Sequence, residues 1–256
     1  MVDEEIRKLS PQDFTELLQN PNKATHNSHL LISTGPSPTN HTSPERTVIS
    51  TYVLKGIYEQ VLKGQVKEMK KLYQILQNNP TTATAAGMIF KSQVHQFFKK
   101  RRVIKLLPIL CENIIYKDYT TNTKKFTSLK SKELIFTDNP DTPLEVGTYY
   151  HPQSTNFPTV DSWLLTQPTP QESLILLIFQ ITPNEDKHNA NVGGLVRVGK
   201  LVAADMEKYL VVITPMGVKP KITMPEEYLT EMFLAGHGLD AAFPVYHLQI
   251  SDDVLF

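Results

Sequence analysis

Two strand-like segments joined through a proline turn constrain this chain most. Residues 160 to 165 carry Val160-Asp161-Ser162-Trp163, Pro168-Thr169-Pro170 reverses the chain, and the apolar run of residues 174 to 179 leads into Gln180-Ile181-Thr182. The turn folds the second segment antiparallel onto the first. Asp161 then falls opposite residues near 177 to 179, within roughly 10 Å of Gln180 at about 3.3 Å per residue, and closer if a bulge intervenes. Alternate side chains of a strand share a face, so Gln180 and Thr182 point together and Ile181 points away.

The periodicity divides the chain around this pair. Residues 20 to 43 are rich in Pro, Asn, Ser, Thr and His and read as a linker, with a short strand at 29 to 33. From 44 to 77 apolar positions recur every three or four residues, which predicts a long amphipathic helix or a helical pair. Asn78-Asn79-Pro80 ends it, and a second helix runs over 84 to 98. Thereafter the period changes to two or to short apolar runs, predicting strands at 103–107, 114–119, 134–136, 147–151, 160–165, 174–182, 210–214 and 245–250. One helix interrupts them at 194–208. A helix, a meander of antiparallel strands, a crossover helix and a further strand make an α/β sandwich with a mixed sheet. The expected domains are 1–80, a linker and helical region, and 81–256, the sheet domain.

Composition narrows the function classes. The single cysteine, Cys111, excludes an intramolecular disulfide framework and any multi-cysteine zinc module, and reads as a small buried hydrophobe in a reducing, intracellular setting. The N-terminal Met1-Val2-Asp3-Glu4-Glu5 lacks the apolar core of a secretory signal, and the apolar run at 174–179 is far short of the roughly 20 residues of a membrane span. No P-loop motif occurs. A formal net charge of zero hides an asymmetry: basic against acidic residues number 13 against 3 over residues 69 to 133, but 6 against 15 over 134 to 256. Lys99, Lys100, Arg101, Arg102 and Lys105 crowd one element, either to neutralise the phosphates of DNA or as a solvated face balanced by the acidic end.

The chemistry that this pattern permits is metal-assisted. A carboxylate from Asp161, an amide oxygen from Gln180 and the Ile181 carbonyl are hard oxygen ligands suited to Mg²⁺, which polarises a phosphate and lowers the pKa of a bound water. Each residue also has a plainer role: Asp161 as a turn carboxylate, Gln180 as partner to a backbone group, Thr182 as an ordinary strand residue. His188 reads as a phosphate-binding or acid group, or as an exposed loop histidine. His95 reads as a hydrogen-bonded core residue.

Taken together, Ala86-Gly87-Met88-Ile89-Phe90-Lys91 with His95, Tyr149-Tyr150-His151-Pro152 through Asn156-Phe157-Pro158-Thr159-Val160-Asp161-Ser162, and Phe179-Gln180-Ile181-Thr182 with His188 and Gly194-Leu195 resemble the C-terminal nuclease-like domain of the crinkler and retrotransposon hot spot proteins. The match covers roughly residues 81 to 215. It implies a restriction-endonuclease-like fold of the PD-(D/E)xK type, with Asp161 and Gln180 at the metal positions, and a DNA nuclease acting inside the cell, in the nucleus. It also implies an upstream NTPase module or other protein partner. Lys91 stands where many relatives have Glu: the lysine has either entered the site or replaced a lost ligand. Two expectations follow. One is a Mg²⁺-dependent deoxyribonuclease in which Lys91 or Lys187 stabilises phosphate charge and Thr182 or His188 positions water. The other is an inactive, nuclease-derived binding module.

Overall fold

The computed structural model describes Asp13 and residues 32–36, 44–48, 66–77, 83–99, 102–109, 124–129, 132–136, 144–152, 160–169, 171–183, 187–189, 192–224 and 243–256. The chain divides into two compact units, Met1–Gln93 with Phe256, and Val94–Leu255. The boundary expected at residues 80 and 81 lies outside the described residues, as do the strand expected at 114–119 and Cys111.

In the first unit, strands β1 (Ile32–Pro36) and β2 (Pro44–Val48) pair antiparallel. The residues expected to open a long helix are thus a strand; Thr47 and Val48 are β-branched and Pro44 sits where a ladder begins. The helical period holds further on, in α1 (Val66–Gln77). There Met69, Leu72, Tyr73 and Leu76 form one buried stripe at the spacing of a helix face. Helix α2 (Ala83–Lys99) starts one residue from its expected position. Its stripe of Ala86, Ile89, Phe90 and Gln93 is buried, with Tyr73 and Phe90 ring centroids 6.2 Å apart and Gln93 Nε2 donating to Met69 Sδ at 3.7 Å.

The second unit is an α/β layer built on a mixed sheet. Strands β3 (Arg102–Pro108), β4 (Lys124–Leu129), β5 (Lys132–Phe136), β6 (Thr148–Pro152), β7 (Ser162–Thr166) and β8 (Ile175–Ile181) precede a short β9 (Lys187–Asn189). Helix α3 (Val192–Gly199), β10 (Glu207–Pro215), β11 (Lys221–Thr223), β12 (Val245–Ile250) and a last turn α4 (Asp252–Leu255) follow. Eight strands lie in the order β4-β3-β12-β10-β8-β7-β6-β5, and β9 pairs with β11 apart from them. The centre is parallel, β8 with β10 and β10 with β12, while β6-β7-β8 form the expected antiparallel meander.

Register assigns the two faces. Tyr150, Trp163, Leu176, Ile178, Leu210, Val212 and Val245 share one face and pack with Leu195 and Val198 of α3 in one core. Tyr149, Leu164, Leu177 and Phe179 share the other, against Phe98 at the end of α2, whose ring centroid lies 4.7 Å from that of Phe179. Gly147, at φ 79°, makes the turn that admits β6, and its amide bonds Leu165 O at 2.7 Å.

The helix expected over 194–208 ends at Gly199 instead. Leu201 and Val202 continue the apolar period but pack on the core from a turn, so their spacing mimics another helical turn. Lys208, 6 % exposed, fixes the loop that follows: its ammonium donates to the carbonyls of Ala203, Ala204 and Met206 at 2.8 to 2.9 Å, holding residues 203 to 206 in a non-helical path.

Candidate functional site at the end of the β7 and β8 strands

The approach to β7 is fixed by backbone bonding. Asp161 N donates to Phe179 O at 2.9 Å, while Ser162, the next residue, is the register partner of the same Phe179. Two consecutive residues therefore oppose one, the arrangement of a bulge. The Asp161 carboxylate then accepts the Ile181 N–H through Oδ2 at 2.6 Å. The two contacts of Asp161, its amide to Phe179 and its carboxylate to Ile181, bracket Gln180 along β8.

Gln180 lies on the α3 face, in register with Val212 of β10. Its Oε1 is buried and accepts no hydrogen bond among the described residues. A buried amide oxygen without a donor costs roughly 1–3 kcal/mol. It suits a cation ligand, since a cation needs no donor hydrogen. Thr182 is 4 % exposed, and its amide donates to Ile213 O at 2.9 Å, tying the end of β8 to β10.

The other expected residues are distributed. Lys91 is half-buried on α2 in the first unit. His188, expected in a loop, is the middle residue of β9 and pairs with Ile222; Lys187 precedes it. Of the basic cluster, Lys99 ends α2 and Arg102 begins β3, Lys100 and Arg101 lie outside the described residues, and Lys105 is exposed.

Gln180 Oε1 and the Asp161 carboxylate are hard oxygen donors of the kind Mg²⁺ takes, carried at adjoining positions of neighbouring strands. Among the described residues no group of three or more His, Cys, Asp or Glu gathers as a denser metal centre.

Sequence reasoning missed two polar networks beside this site. On the α2 face, Tyr149 OH lies 2.6 Å from Ser162 Oγ and 2.7 Å from His95 Nδ1, and the His95 and His151 rings stack at 5.2 Å. Ser162 and Tyr149 are fully buried, so a hydrogen-bonded chain runs from the residue after Asp161 to a half-buried histidine. On the α3 face, Thr214 Oγ1 lies 2.9 Å from Val218 O, 3.1 Å from Pro215 O and 2.8 Å from His247 Nε2. A hydroxyl has one proton and the carbonyls require it, so His247 Nε2 is the donor to Thr214. Burial lowers the pKa of His247 from 6.5, favouring the neutral ring. The partners are 33 residues apart, and no local spacing announces them.

Comparison with protein-family models, curated proteins and solved structures finds no match. No helix among the described residues is long and apolar enough to cross a membrane.

Proposed function

We propose that this chain is a Mg²⁺-dependent nuclease of the crinkler and retrotransposon hot spot type that hydrolyses phosphodiester bonds of DNA on a restriction-endonuclease-like core. The observation that carries the reading is Asp161 bracketing Gln180, whose buried Oε1 accepts no hydrogen bond among the described residues. The succession α2, β6-β7-β8 meander, α3 and β10 parallel to β8 supports the same core. In this reading Asp161 and Gln180 hold the ion, which supplies charge neutralisation at the phosphate and a more acidic water. Asp161 is kept in place by the Ile181 amide, and the resemblance leaves Lys91 or Lys187 as the cation that offsets charge on the phosphate.

The test is cleavage of duplex and single-stranded DNA with Mg²⁺ and with EDTA. Wild type should cleave only with the ion, Asp161→Ala should abolish cleavage, and Gln180→Ala should weaken it less, since a neutral amide oxygen is the poorer ligand. Lys91→Glu should abolish cleavage if the lysine is the phosphate-stabilising cation, and raise metal affinity if it stands in for a lost acid.

A second reading, a nuclease-derived binding module, is favoured by the Asp161 carboxylate already accepting a backbone N–H and by the lack, among the described residues, of a group of three or more His, Cys, Asp or Glu that could hold a metal. Absence of divalent-dependent cleavage in wild type and in Lys91→Glu would select it.

A further inference from the structure

The outer strands of the same sheet carry a feature that folding does not require. Lys105 of β3 and Lys125 of β4 are direct register partners, so both side chains leave the same face of the sheet, and both are exposed. Like charges directly opposite destabilise a strand pair. Neither strand supplies an acid to relieve them: β3 reads RVIKLLP and β4 reads KKFTSL.

Register relates this pair to the proposed hydrolytic site. Gln180 pairs with Val212, Val212 with His247, and His247 with Leu107, so one row crosses β8, β10, β12 and β3 on a single face. Lys105 lies two residues before Leu107 and therefore on that face. Because β3 runs antiparallel to β12, Lys105 is displaced from the row toward the C-terminal ends of β8, β10 and β12, the end that holds Thr182. Leu107 is 41 % exposed beside it, so this part of the face is open among the described residues. At about 4.8 Å per strand, β3 lies about 14 Å and β4 about 19 Å from β8. That is about four to six steps of duplex rise at 3.4 Å each.

We propose that Lys105 and Lys125 form a phosphate-binding platform that holds a nucleic-acid backbone across the outer strands while another part of the same strand reaches β7 and β8. The occupant is a polyphosphate backbone because two adjacent exposed ammonium groups, with no acid on either strand, complement closely spaced phosphates. The placement relative to β8 matters to function only if the nuclease reading holds; the platform itself does not depend on it.

The test measures anisotropy of a labelled duplex with the full chain in EDTA across a salt series. Lys105→Gln/Lys125→Gln should reduce the slope of log K against log salt by about 1.8, or by about 1.4 on a single strand. Lys105→Arg/Lys125→Arg should restore it. The glutamine variants relieve a like-charge pair, so they should remain folded. An unchanged slope and affinity would overturn the platform and leave the lysines as guards of an edge strand. Binding to phosphatidylserine vesicles without duplex binding would overturn it equally. Cleavage of the same duplex, measured in parallel, separates the two proposals: a reduced slope without wild-type cleavage upholds the platform and rejects the nuclease, and cleavage with an unchanged slope does the reverse.

Discussion

The Asp161 carboxylate accepts the Ile181 N–H at 2.6 Å, joining the residue before β7 to the last residue of β8. It does with a side chain what a ladder bond would otherwise do, because the chain at 161 has slipped by one residue and no longer pairs regularly. The same carboxylate is thus both structural and the acidic group assigned to the proposed site.

Two substitutions separate those roles. Asp161→Ala leaves a buried amide unsatisfied and should lower stability by about 1–3 kcal/mol in urea denaturation. Asp161→Asn keeps an oxygen acceptor and should retain most of that stability. Any divalent-dependent cleavage should be lost in both, because an amide cannot supply the negative charge.

How much of this was legible in the sequence depends on the range of each interaction. The β7 and β8 pairing was readable because its determinants, Pro168 and the apolar run ending in Gln180, are adjacent in the chain. The α2 stripe was readable for the same reason. The loop after α3 was not, because Lys208 shapes it from the following strand by gathering three carbonyls. Strand β4 was missed because its KKFTSL is short and polar and becomes a strand by pairing with β3. The Gln180 site was half legible: strand alternation grouped Gln180 with Thr182, but an amide oxygen buried without a donor among the described residues depends on what the other strands pack around it.

Lys208 should be among the more sensitive surface-remote positions. Lys208→Met preserves the aliphatic stem but removes three charge-assisted hydrogen bonds from a residue 6 % exposed. A loss of about 3 kcal/mol is expected by chemical denaturation, with increased amide exchange across residues 200 to 207.

The Tyr149 hydroxyl links Ser162 and His95, so Tyr149→Phe and Ser162→Ala should each cost about 1–3 kcal/mol by leaving a buried partner unsatisfied. Their effects should not add. The double variant removes both ends of the 2.6 Å bond, and a double-mutant cycle should return a coupling of about 0.5–3 kcal/mol. Strict additivity would show that the hydroxyls do not interact.

His247 gives the protein a defined response to acid. Its folded pKa lies below 6.5, so between the folded and unfolded values the unfolded chain binds more protons and the unfolding free energy rises with pH. The contribution is fully present above about pH 6.5 and is lost as pH falls below it. His247→Gln keeps a donor for Thr214 Oγ1 but cannot titrate. Denaturation of wild type and His247→Gln across pH 5 to 8 should show a stability difference that narrows or reverses below pH 6.5 and is constant above it. The same difference at every pH would mean that the imidazole keeps its ordinary pKa despite being 8 % exposed and hydrogen-bonded to a buried threonine.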